Sequence, residues 1–186
     1  MGLETALGSL LAAFGLSGAA GLNAWLPLFA SALLARADVV ELAAPLDDLS
    51  SNAGLVVLAV LTVADFVGDK IPLVDHVLHV LGTVIAPASG AVLFTAQTGL
   101  ETDVPTIVAV VLGALTAGGV HAGRSTLRPV STATTGGLGN PVLSLGEDIA
   151  SLTLVVLSFV VPLLAVLLLG WLLVAFVRRR RSWRPV

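Results

Sequence analysis

Two stretches without a single charged residue, Thr5 to Ala35 and Ile149 to Val177, constrain this chain more than any other feature. At about 1.5 Å of helix rise per residue, the second stretch reaches roughly 43 Å, well beyond the ~30 Å hydrocarbon layer of a bilayer. Backbone inside lipid must satisfy its own N–H and C=O groups, which leaves only helices or closed barrels. Barrel strands read as alternating segments of about 10 residues, and no such alternation occurs. The expected fold class is therefore all-α, a polytopic helical membrane protein. Composition agrees: 56% of the 186 residues are hydrophobic and 11% are charged, against about 25% charge in a soluble domain. So few charges cannot cover a surface that faces water.

About five spans are expected. The first, Thr5 to Ala35, contains Gly15, Gly18, Gly21, Asn23 and Pro27 and reads as a broken helix. A second runs from about Asn52, capped by Ser51 or Asn52, to Lys70. A third runs from Pro72 to about Gln97, bent at Pro87, and a fourth ends near Gly123. The last is Ile149 to Val177. The segment from Arg124 to Asp148 is too polar to face lipid yet rich in small residues, which predicts a re-entrant or interfacial segment before the last span. Residues 1–177 then form a single transmembrane helical domain and 178–186 a basic cytoplasmic tail, because Arg178 to Arg181 and Arg184 directly follow an apolar span. The expected location is a cell membrane, inner or plasma, crossed several times, with the C-terminus cytoplasmic. Five crossings put Arg36 on the side of the tail and Lys70, Arg124 and Arg128 on the other. An internal repeat is also suggested. Asp69-Lys-Ile-Pro72 followed by Pro87-Ala-Ser-Gly90 parallels Leu127-Arg-Pro129 followed by Asn140-Pro141, as in transporters built from duplicated halves.

The charges that remain stand where chemistry would need them. Asp65 and Asp69 share one helix face, and Lys70, the only lysine, follows directly. A charge at the bilayer centre costs about 2.5–3.5 kcal/mol, so such residues are kept where they pair or line a cavity. The candidate ion or substrate site comprises Asn23, Asp65, Asp69, Lys70, Asp75, His121, Arg128, Asn140, Glu147 and Asp148. Lys70 and Arg128 are expected to pair with its carboxylates. Five acids, counting Asp65, Asp69, Asp75, Glu147 and Asp148, face three bases, Lys70, Arg124 and Arg128, which favours a cation or protons. Asn23 can hydrogen-bond across helices, and His121 could carry a proton near neutral pH.

Asp75 and His79 lie at i and i+4, and with His76 they could hold a divalent metal, the one cofactor the residues suggest. Ser144-Leu-Gly-Glu147 has the form of a capping box. Cysteine is absent, which excludes disulfides. No nucleophile elbow, P-loop or dinucleotide fingerprint occurs, so little argues for an enzyme.

The function that fits is a small transporter or channel component moving a cation or protons through a polar site between helices. The alternatives are a membrane enzyme or lipid-phosphate-handling protein, and a structural membrane partner. Expected partners are the lipid bilayer, a small ion or solute and, through Gly and Ala faces, a second copy of the chain, with no nucleic acid.

Several segments taken in order resemble a bacterial membrane-protein family catalogued as domain of unknown function 4126. They are Ala20-Gly-Leu-Asn-Ala24 with Leu26-Pro27, Asp69-Lys-Ile-Pro72 with Asp75, Pro87-Ala-Ser-Gly90, His121 with Arg128-Pro129, and Gly139-Asn-Pro141 with Ser144, Glu147-Asp148 and Ser151. They cover almost the whole chain. The resemblance implies a polytopic helical fold and no particular reaction. His76 and His79 fall outside the pattern.

Overall fold

The structure, a computed structural model, describes residues 3–44, 46–100, 102–136 and 139–182. These residues form α1 (Leu3–Leu22), α2 (Leu26–Arg36), α3 (Leu46–Leu49), α4 (Asn52–Gly68), α5 (Pro72–Thr98), α6 (Thr106–Ser125), α7 (Leu127–Thr135), α8 (Asn140–Val160) and α9 (Pro162–Ser182). Helices α1, α5, α6 and α8 contain segments long and apolar enough to cross a membrane, whereas α2, α4 and the Pro162–Ala175 part of α9 are shorter apolar stretches. Prolines stand in the first turns of α2, α5 and α8, where a missing N–H costs nothing. Ser51 caps α4 as expected, its hydroxyl accepting the Gly54 amide at 3.1 Å.

Helix α1 is the centre of the bundle, packed against α5, α6, α8 and α9. Small residues let it be approached from every side, and serines tie the helices together by donating to neighbouring carbonyls. Ser9 donates to Gln97 at 2.6 Å and Ser17 to Gly90 at 2.9 Å, so α5 runs antiparallel to α1. Helix α6 runs with α1, since Ala13 clusters with Ala109 and Gly21 lies against Ala117 and Val120. Helix α8 runs against it, with Ser151 donating to Ala19 at 3.0 Å and Ser158 opposite Gly15. The outside is apolar. Val60 on α4, Ile107 and Leu115 on α6, and Leu167 and Trp171 on α9 are all exposed, while Ser17, Asn23, Ser144 and Ser151 are buried. That is the inverse of a water-soluble fold, and with the four spanning-length helices it marks the chain as a membrane protein.

Several expectations change. Helix α1 is unbroken for 20 residues and is interrupted only at its end, at residues 23–25. Helix α5 continues through Pro87. The polar stretch 124–148 becomes the end of α6, helix α7 and the first turns of α8. Gly136, at φ 62°, closes α7 in the left-handed conformation that glycine tolerates best; residues 137 and 138 lie outside the described part.

The last uncharged stretch is not one helix. Val161 leaves helical geometry at φ −143° and ψ 80°, and Pro162, lacking an N–H, starts a new helix. Beyond that break the chain turns back, so that Ala165 meets Gly15 and Leu169 meets Gly18, and α9 runs in the direction of α1. Helix α9 therefore carries Arg178 to Arg181 toward the bundle end where α1 stops, and it remains helical through Ser182, past the expected boundary at 177.

Arg36 lies at the other end, donating to Asn52 at the start of α4 at 2.9 Å. The expectation that the tail shares a side with Arg36, opposite Lys70 and Arg124, is thereby overturned. A single proline break reverses the direction of everything after it.

Candidate functional site

Helix α1 ends because Asn23 offers the backbone a different partner. The Asn23 amide still donates to Ala19 at 3.0 Å. Its side-chain Oδ1 accepts the amides of Trp25 and Leu26, each at 3.0 Å, and so satisfies the free donors that open α2. The Nδ2 group, with two hydrogens to give, donates to Asp65 Oδ2 at 3.1 Å and to Asp148 Oδ1 at 2.8 Å. One side chain, 3% exposed, both breaks a helix and joins carboxylates from α4 and α8.

Three further links converge beside it. The Ser144 hydroxyl donates to Asp69 Oδ2 at 2.5 Å, tying the turn after α4 to α8. Arg124, at the end of α6, pairs through Nη2 with Glu147 Oε2 at 3.3 Å. Its Nη1 donates to the Leu22 carbonyl, one of those left without a helical partner where α1 stops. His79 on α5 and His121 on α6 stack with ring centroids 5.1 Å apart and planes inclined by 29°. The stack is close because the His121 ring lies on Gly82, where a Cβ would come within 2.5 Å of Cε1.

Asp69, Asp75 and His121 are each no more than 5% exposed. Depth follows from position. Asp148 stands eight residues into α8, roughly 12 Å along the helix axis.

The two polar segments, 65–79 and 121–148, therefore meet, and Asn23 is the link between them. Some expected members stay apart. Lys70 is exposed; its Nζ donates to the Phe66 carbonyl at 2.7 Å and lies 3.5 Å from the centroid of the Phe66 ring. It ion-pairs with none of the described carboxylates. Its side chain leaves the outer side of the turn, where the end carbonyls of its own helix and an aromatic face are nearer than the interior. Arg128 belongs to α7, with its side chain outside the described part of the chain. Asn140 opens α8, one turn before Ser144.

The metal expectation is not met. Asp75 is buried and His79 half-buried, but His76 is exposed, and among the described residues no three His, Asp or Glu side chains are grouped to hold an ion. Successive positions 75 and 76 on a helix cannot share one face. The capping box also fails to form. Pro141 starts the helix early, so Ser144 and Glu147 stand inside α8 and turn to Asp69 and Arg124 instead.

Sequence reasoning missed three contributors. Thr62 and Phe66 of α4 join Leu26 and Leu152 in lining a cleft of about 210 Å³ that reaches Asn23 and Asp148 from the flank of the bundle. An exposed Phe on an apolar helix carries no signal that distinguishes such a wall from plain lipid contact. The Leu22 carbonyl was equally invisible, since its role depends on where α1 stops.

No curated protein and no solved structure matches the chain. One family model does match, over residues 10–182, from the middle of α1 to the end of α9. The matched range contains the break at Asn23, the turn at Asp69 and the Ser144–Asp148 face of α8, and the chain belongs to this family, described as Domain of unknown function (DUF4126).

Proposed function

We propose that this protein is a small membrane transporter or channel component that passes protons or a small cation through the polar cluster. The observation that carries this reading is the bridge from Asn23 to Asp65 and Asp148 at an interrupted helix. Interrupted helices that expose polar groups within a bundle are where secondary transporters bind their ions. In this reading the interruption lies within the bilayer, and α2 turns back toward the side from which α1 came. The charge balance favours a cation. Asp65, Asp69, Asp75, Glu147 and Asp148 stand against Arg124, which pairs with Glu147, while Lys70 is turned outward to Phe66. The flank cleft between α2, α4 and α8 supplies an approach to Asp148. The two basic-proline pairs, Lys70 to Pro72 between α4 and α5 and Arg128-Pro129 in the first turn of α7, would correspond to each other in a duplicated architecture.

The test is flux into proteoliposomes carrying the full chain, with an internal pH dye and a panel of monovalent and divalent cations. The parent is expected to dissipate an imposed gradient. Asp148→Asn, which keeps an oxygen for Asn23 but removes the charge, and Asp69→Asn are each expected to slow it by about tenfold or more, the equivalent of roughly 1.4 kcal/mol at the barrier. Equal rates for parent, variants and empty vesicles would end the transport reading for the ions tried.

Orientation follows from the direction of α9. Among the described residues, Lys70, Arg124 and Arg128 and the Arg178–Arg181 end of α9 belong to the cluster end, and Arg36 belongs to the other. Basic residues gather on the cytoplasmic side, which argues that the cluster opens toward the cytoplasm and the C-terminus with it. The chain has no cysteine, so single ones can report this. In intact cells a membrane-impermeant maleimide is expected to label Asp48→Cys and to label Ala133→Cys only after permeabilisation. The reverse pattern would invert the topology.

A further inference from the structure

Helices α8 and α9 part company at Val161 and Pro162, and α9 is apolar up to its arginines. Between them and α6 lies a second cleft, about 260 Å³ in volume. Its walls are almost wholly apolar, with Leu143 and Gly146 on α8, Leu169 and Leu173 on α9, Leu22 on α1 and Val120 on α6. The Arg124–Glu147 pair is the one charged element lining it. Arg124 Nε has no hydrogen-bond partner among the described residues.

Beyond the cleft-lining residues, α9 becomes charged. Arg178, exposed, stands five residues beyond Leu173, roughly 7.5 Å further along α9. It begins the four-arginine run that closes the helix.

We infer that this cleft takes one acyl chain of an anionic phospholipid, with the lipid phosphate held at the Arg178–Arg181 end of α9. The walls match a hydrocarbon chain, and the arginines match a negative head group at the depth where phosphates sit. A neutral lipid satisfies the walls but leaves the arginine run without a counter-charge. The occupant neither depends on the transport reading nor supplies it, because its binding is read without any flux.

Gly146 makes the inference testable. It lines the cleft, and a Cβ built on it meets nothing within 4 Å, so a larger side chain there can fill the cleft without displacing protein atoms. The experiment is native mass spectrometry of the full chain, purified in detergent and given equimolar dioleoylphosphatidylglycerol and dioleoylphosphatidylcholine.

The parent is expected to retain one phosphatidylglycerol with a preference of about tenfold or more, given the arginine run at that end of α9. Gly146→Leu is expected to lose that bound lipid while keeping parental helicity by circular dichroism. A chain with Arg178 to Arg181 all changed to Gln is expected to bind both lipids equally. Three results overturn the inference. They are a phosphatidylglycerol preference that survives Gly146→Leu, equal retention of both lipids by the parent, and a dimer that Gly146→Leu dissociates while lipid binding stays unchanged.

Discussion

Asn23→Ala is expected to lower the stability of the detergent-solubilised protein by about 3 kcal/mol, the combined cost of donors withdrawn from two carboxylates and an acceptor withdrawn from two amides. Four hydrogen bonds vanish with the one side chain: those from Trp25 and Leu26 to Oδ1, and those from Nδ2 to Asp65 and Asp148. Bonds to charged groups are usually worth about 1.5–3 kcal/mol, but polar links between membrane helices average about 0.6 kcal/mol, because the unfolded helices also find partners. The burial of Asn23 pulls the total toward the upper figure, since the groups left behind are slow to find water.

Asn23→Asp sharpens the test. It keeps the acceptor that starts α2, so a local capping account predicts little loss. It also sets a third carboxylate against Asp65 and Asp148, so the bridging account predicts a loss at least as large as that of alanine. Thermal unfolding of parent, Asn23→Ala and Asn23→Asp followed by circular dichroism decides between them. If both variants melt with the parent, the bridge holds nothing together.

Gly113→Ala is expected to destabilise by about 3 kcal/mol, although alanine normally stabilises a helix interior by about 0.5–1 kcal/mol over glycine. The reason is the approach of α5 to α6, the most extensive helix contact in the bundle. A Cβ at Gly113 would overlap the Gly90 carbonyl oxygen and come within 2.7 Å of Phe94 Cβ. Backbone cannot step aside as a side chain can, so the two helices must separate. That separation would also spread His79 from His121, which face each other across the same interface.

Gly119, six residues along the same helix, meets nothing within 4 Å, and Gly119→Ala is expected to raise stability by about 0.5–1 kcal/mol. The opposite signs are the signature of close packing. Two substitutions that shift the melting temperature in the same direction would mean that α5 and α6 are not in backbone contact at Gly90 and Gly113.

The candidate site was legible in the sequence to an uneven degree. Ionisable residues in a chain this apolar stand out by type alone, which is why Asp69, Asp75, His121, Glu147 and Asp148 could be named before any fold was known. Their roles were less visible. Ser144 and Glu147 read as a local capping pair, and each instead serves a residue from another helix, Asp69 and Arg124. Lys70 read as a counter-ion and turned to Phe66. In both cases a reading based on neighbours in the chain lost to a partner supplied by packing, or to one supplied by solvent-side geometry.

What the sequence by itself determined is the solvent and the element type. Long uncharged segments permit only helices in lipid, and this preference acts residue by residue, with no need to know what lies next door. What only the tertiary structure decided is which ends meet. Asn23 and Asp148 are 125 residues apart in sequence, and their contact depends on the direction taken by every helix between them. The side on which the arginine run emerges was likewise set by one local break, at Val161 and Pro162, that folds α9 back along α1. Hydropathy carries no sign for direction. The sign comes from backbone dihedral angles at the breaks and from the few buried polar groups whose hydrogen bonds are satisfied in only one arrangement.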